Sequence, residues 1–130
     1  MLILTIRTDK PEAEVGLFDD DKQLVYYKWQ AHRTLSTTLH RQIAKNLQSI
    51  DKDWADLGAI VCYKGPGSFT GLRIGLAVGN ALASGLNIPI VSFTGKNWIN
   101  KGATRLRSGK NEKVAMPEYG ATVHITRPKK

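Results

Sequence analysis

Residues 2–6, LILTI, form an apolar run of strand length and read as a buried strand. AEVGLF at 13–18 then alternates, with Ala13, Val15 and Leu17 on one face. After the acidic turn Asp19-Asp20-Asp21-Lys22, QLVYYKWQ resumes a strand rich in β-branched and aromatic residues. Together these predict a three-stranded antiparallel meander with turns near 8–12 and 19–22. Over 36–50 the period changes. Leu39, Ile43, Leu47 and Ile50 recur at helical spacing, with Ser36 and Thr37 as N-cap candidates. GAIVCY at 58–63 predicts a second buried strand, GPGSF a loop, 70–86 a second helix opened by Thr70, and IPIVSF at 88–93 a further strand. The order β-β-β-α-β-α-β implies an α/β fold: a mixed sheet with two helices packed against it.

Beyond Phe93 the pattern weakens. KNWINKGATRLRSGKNEKVAMPEYG mixes Gly, Asn, Lys and Arg with little apolar period, and RSGKNEK reads as an exposed turn or mobile loop. ATVHITRP supplies a candidate last strand at 121–127. The expected division is therefore a folded domain over 1–95 and a basic, partly ordered tail over 96–130.

Charge sharpens that division. The formal net charge of +8 is unevenly placed. Residues 1–95 hold ten Lys/Arg against nine Asp/Glu, whereas 96–130 hold nine against two. A basic tail raises affinity for polyanions, so contact with nucleic acid through 96–130 is one expectation and a solvated basic end the other. The 130 residues suit one domain, and 42% hydrophobic with 23% charged residues is ordinary for a globular protein. The single cysteine, Cys62, sits in the apolar run AIVCY and reads as a core residue. No apolar stretch is long and uninterrupted enough for a membrane span, so a cytoplasmic protein is expected.

GPGSFTGLRIG at 65–75 carries the most chemistry. A strand, a glycine loop and a helix N-terminus suit phosphate, but the Lys-[Ser/Thr] pair of a P-loop is missing. Gly67-Ser68-Phe69-Thr70-Gly71 places its serine out of register for a nucleophile elbow, and nothing in the sequence locates His32, His40 or His124 beside it. The acidic turn lacks the alternating carboxylates of a calcium loop. No catalytic or metal-ligating set emerges, and no cofactor is called for. The loop Gly65, Pro66, Gly67, Ser68, Phe69, Thr70 reads instead as a tight turn launching a helix. On that helix Gly71, Gly75 and Gly79 are four apart and share a face. Each costs up to about 1 kcal/mol relative to Ala, so that face needs close approach by another backbone, in this chain or in a partner. Ile74, Val78 and Leu82 form a second apolar strip, and a helix apolar nearly all round needs two partners.

YKGPGSFTGLRIGLAVGNALASGLNIPIVSF closely resembles the signature region of the TsaB (YeaZ) family, and LILTIRT, EVGLF and AHRTLSTTLHRQIAKNL fit that family's opening hairpin and first helix. The resemblance covers about residues 1–95. It implies an actin-like, ASKHA-type (ribonuclease H-like) lobe and a non-catalytic scaffold of the machinery that makes threonylcarbamoyladenosine on tRNA. The implied partners are TsaD, the paralogous catalytic subunit, and TsaE, an ATPase of the larger assembly, with a homodimer when the chain is alone. Docking through the first two helices, carried onto 37–50 and 70–86, implicates Leu39, Ile43, Leu47, Gly71, Leu72, Gly75, Leu76 and Gly79. The family's Asp-Thr-Ser loop is replaced here by Arg7-Thr8-Asp9, which argues against metal-assisted phosphate chemistry. The length corresponds to a short member without most of the second subdomain. Two alternatives stay open: a nucleotide-binding or hydrolysing enzyme using Ser68 and Thr70, and a basic tRNA-binding accessory module.

Overall fold

The computed structural model describes residues 1–118. Strands β1 (Leu2–Arg7), β2 (Glu12–Asp19) and β3 (Lys22–Gln30) form the expected meander. Helix α1 (Leu35–Ser49), strand β4 (Leu57–Tyr63), helix α2 (Phe69–Leu86), strand β5 (Ile90–Phe93) and helix α3 (Trp98–Arg107) follow. The sheet order is β3-β2-β1-β4-β5. The β1–β2 and β2–β3 pairs are antiparallel, while β1–β4 and β4–β5 are parallel. This is the mixed sheet of the actin-like, ribonuclease H-like lobe.

Because successive strand residues point to opposite faces, the sheet has two cores. Leu4, Ile6, Val15, Leu17, Ile60, Cys62 and Ile90 lie under α1 and α2. Ile3, Phe18, Ala59, Val61, Tyr63 and Val91 lie on the other face, with Trp98, Ala103 and Leu106 of α3. Helix α1 buries Leu35, Leu39, Ile43 and Leu47, a strict four-residue stripe. Its N-cap position is Thr34, with no side-chain cap, so Ser36 and Thr37 lie inside the helix rather than capping it. Helix α2 ends at Asn87 in the left-handed region (φ 56°), and the Ile88 N–H reaches back to the Ala83 carbonyl at 3.0 Å. Asparagine tolerates that conformation better than most residues do.

Helix α3 corrects the reading of 96–107 as irregular. Its buried residues are Trp98, Gly102, Ala103 and Leu106. Only two of these are large, and Gly102 hides the period because it looks like a breaker. A Cβ at 102 would collide with the Val61 side chain, so the glycine lets the helix sit close on β4. The Trp98 ring meets Tyr63 edge-on at 5.7 Å.

The segment after α3 closes the edge of the sheet at β5. The Ile90 N–H donates to Asn111 Oδ1 (3.0 Å), and the Glu112 N–H donates to the Ile90 carbonyl (2.8 Å). Glu112 accepts from the Ser92 N–H and the Ser92 hydroxyl, both at 2.8 Å. Asn80 of α2 clasps the same segment: its Nδ2 donates to the Ala115 carbonyl (3.0 Å) and its Oδ1 accepts from the Ala115 N–H (2.8 Å). An edge strand offers unpaired backbone groups to other chains, and here the Asn111 and Glu112 side chains and the Glu112 N–H occupy them. The candidate strand at 121–127 lies outside the described residues.

Candidate functional site

The glycine-rich loop meets the end of β1. The Ser68 N–H donates to the Asp9 carbonyl (2.8 Å), and Thr8 Oγ1 donates to the Gly71 carbonyl (2.7 Å). Ser68 caps α2 by accepting from the Gly71 N–H at 3.3 Å. Gly65–Pro66 is a cis peptide. A Cβ at Gly67 would strike Asp9, one at Gly71 the Thr8 carbonyl, and one at Gly75 the Thr8 side chain. One at Gly79 would come within 2.7 Å of Cys62 Sγ. The glycine face therefore serves close approach of α2 to β1 and β4 of the same chain, which is one of the two options that the spacing left open.

That placement corrects the docking set. Leu39, Ile43, Leu47, Leu72, Gly75, Leu76 and Gly79 are buried inside this chain, and Gly71 is wedged against Thr8. The first seven are core residues and leave no surface for a partner, while Gly71 is half-buried. What α2 turns outward is a different stripe. Thr70, Arg73, Ala77 and Ala81 are exposed, and Ile74, Val78 and Leu82 are half-buried at its margin. Thr70, Arg73, Ile74 and Ala77 line a shallow hollow of about 330 Å³. Phe69, at the start of the helix, is 52% exposed, with the Arg73 guanidinium 5.4 Å from its ring centroid. The outward stripe was legible as the second apolar strip at 74, 78 and 82. The glycines drew the reading to the wrong side, because spacing alone does not tell which neighbour needs the clearance.

Arg7, Asp9 and Tyr63 form the polar centre of the junction. Arg7 Nε donates to Asp9 Oδ1 at 2.8 Å and Nη2 to Oδ2 at 3.2 Å, a forked pair. The guanidinium lies 4.0 Å from the Tyr63 ring centroid. The hydrogen bonds to Asp9 raise the Arg7 pKa further, against the opposing effect of burial. Both Asp9 oxygens are thus committed to Arg7, and a carboxylate so held has little left for a metal ion. Among the described residues no group of three or more His, Cys, Asp or Glu could hold a metal. Sequence reasoning singled out Arg7 but not its pairing with Asp9, although the i, i+2 spacing in extended backbone puts both side chains on one face.

The alternative use of Ser68 and Thr70 finds a cavity of about 270 Å³ beside them, with Lys10, His32 and Arg33 also on its wall. No carboxylate lines it, and Lys10 is paired with Glu14 at 3.8 Å. The Ser68 hydroxyl is occupied as a helix cap. Nothing in this arrangement orients a base toward the serine in the way nucleophilic catalysis requires.

Cys62 lies in the core, and burial pushes its thiol up to about 12, with the Glu112 charge adding to it. The ordinary value is 9.0. The folded state therefore holds this proton through the window in which the unfolded chain loses it. The associated stability is fully present below about pH 9 and falls as pH rises toward 12, by up to about 1.4 kcal/mol per pH unit. Tyr26, raised by burial and by its bond to Glu14, adds to the same alkaline loss. Melting temperatures from pH 8 to 11 should fall less steeply for Cys62→Ala than for the wild type. Equal slopes would show that the thiol is not the titrating group.

Comparison with known proteins follows the same outline. Residues 29–94 match the family model described as TsaD: tRNA N6-adenosine threonylcarbamoyltransferase. The chain is 34% identical over 90 residues to the tRNA threonylcarbamoyladenosine biosynthesis protein TsaB of Bacillus subtilis, spanning 69% of this chain and 39% of that protein. It is 30% identical over 117 residues to TsaB of Escherichia coli, spanning 82% of this chain and 48% of that one. The structure of YeaZ from Pseudomonas aeruginosa superimposes with a TM-score of 0.65 at 23% identity, over 72% of this chain and 45% of that chain. The chain thus spans less than half the length of these curated relatives. Among the described residues no helix is long and apolar enough to cross a membrane.

Proposed function

The chain belongs to the TsaB (YeaZ) family within the reach of the TsaD family model, and on that premise we propose that it serves threonylcarbamoyladenosine synthesis on tRNA as a non-catalytic docking subunit. Its partner is TsaD, with TsaE joining the larger assembly. The docking surface is the outward side of the α1–α2 layer. One observation carries this reading: beyond Arg73, the exposed stripe of α2 presents small and aliphatic residues, Ala77 and Ala81 flanked by Ile74, Val78 and Leu82. Small side chains let a partner helix approach closely, and the aliphatic margin supplies area to bury. The committed Asp9 and the capped Ser68 support a scaffold over an enzyme.

The test is co-purification of TsaD with the full chain. Ala77→Arg and Ala81→Arg place a long cation on the exposed stripe without entering the core, so the variants should melt like the wild type. Each should weaken TsaD binding at least tenfold, because a charge there must be desolvated without a partner. Full retention of TsaD by both folded variants would refute the surface. The same stripe would hold a second copy when TsaD is absent, so both variants should also reduce self-association in sedimentation.

A further inference from the structure

We propose that the outer face of α3, on the side of the sheet opposite α1 and α2, binds the phosphate backbone of tRNA. The choice of tRNA among polyanions rests on the proposed role in tRNA modification. The binding chemistry rests on the helix itself.

Between Gly95 and Asn111 the chain carries Lys96, Lys101, Arg105, Arg107 and Lys110 and no carboxylate. Because α3 buries Trp98, Gly102, Ala103 and Leu106, its polar residues are turned outward by default. Lys101 and Arg105 are one turn apart, about 6 Å along the axis, and project from the same side. They line a hollow of about 500 Å³ whose other walls include Asn97, Asn100 and Thr104, all hydrogen-bonding side chains, and Phe93. The Arg105 guanidinium lies 5.1 Å from the Phe93 ring centroid. Such a platform can both hold a phosphate and stack a base.

Two facts distinguish this face from an ordinary solvated one. Among the described residues none of the five cations is in an ion pair. The nearest carboxylate in sequence, Glu112, is turned to β5, where both of its oxygens accept hydrogen bonds from Ser92. The positive charge is therefore left uncompensated, while the acid that could have neutralised it is used to close the sheet edge. A membrane-surface helix would instead present its aromatic and leucine side chains outward, and here Trp98 and Leu106 are buried.

The experiment measures binding of unfractionated tRNA to the full chain by fluorescence anisotropy across a potassium chloride series. Binding should weaken with salt, log K falling linearly with log salt. Lys101→Gln with Arg105→Gln should reduce that slope by about 1.5 to 2 and lower affinity about tenfold or more at low salt. Lys96→Gln with Arg107→Gln leaves the Arg105–Phe93 contact intact and should lower the slope by a similar amount. Absent binding, salt-independent binding, or slopes unchanged in both variants would overturn the proposal. So would tighter binding to phosphatidylserine vesicles than to tRNA. Running TsaD co-purification on the same variants separates the two readings. Loss of tRNA with TsaD retained supports the α3 face, and loss of TsaD by the Ala81→Arg variant with tRNA retained leaves it standing alone. Failure of TsaD to bind the wild type, with tRNA still bound, would sink the docking role and not this one.

Discussion

Gly75→Leu should unfold the chain or leave it barely folded. A Cβ at position 75 already overlaps the Thr8 hydroxyl and comes within 3.0 Å of Thr8 Cγ2. Thr8 cannot swing away, because it is buried and its Oγ1 donates to the Gly71 carbonyl at 2.7 Å. Even Gly75→Ala should cost about 1–3 kcal/mol in overpacking and a further ~1 kcal/mol for the lost hydrogen bond, against up to about 1 kcal/mol gained in helix propensity. The leucine branches have to displace α2 from β1 altogether. Chemical denaturation checks this, and Thr8→Ala in combination with Gly75→Ala is the decisive comparison. Removing Oγ1 and Cγ2 makes room, so the double variant should be more stable than the sum of the single effects predicts. Simple additivity would show that the contact is not what forbids a side chain there. Loss of TsaD by Gly75 variants would then report loss of fold, which is why the docking test uses Ala77 and Ala81.

The second large effect is expected at Glu112. Replacing it by Ala deprives the Ser92 N–H and hydroxyl of their shared acceptor, and Ser92 is only 3% exposed. Leaving buried donors unpaired costs about 1–3 kcal/mol for each one that water does not reach. The edge of β5 also becomes available for pairing with another chain. Glu112→Ala should therefore lower the melting temperature and increase aggregation, and Glu112→Gln, which keeps an acceptor, should recover part of the loss. Light scattering during thermal melts reads both effects. A variant as stable and as soluble as the wild type would mean that Asn111 and the Asn80–Ala115 clasp close the edge without it.

Much of the fold was legible because it rests on periodic patterns. The meander, α1, β4, α2 and β5 each carry a period of two, a period near 3.6, or an apolar run bounded by turn residues, and burial of those same residues holds them in place. Helix α3 was not legible. Its stripe includes a glycine and an alanine, and its stability comes from Trp98 and Leu106 meeting a sheet face that exists only after folding. The candidate site divides in the same way. The glycine spacing announced a close approach, but its direction depends on Thr8 and Cys62, which lie far away in sequence. The Asn80 clasp joins residues 35 apart.

The sequence by itself determined the layered α/β lobe, the neutral body with its basic end, and the glycine face of α2. These follow from local periodicity and composition, which act residue by residue along the chain. Only the tertiary structure decided that the glycines clear space for the chain's own strands, that Asp9 is committed to Arg7, and that Lys101, Arg105 and Arg107 stand on a helix with no ion pair among the described residues. Each of those depends on which distant backbone arrives next to which side chain. That is set by the packing of two faces of one sheet and by no local signal.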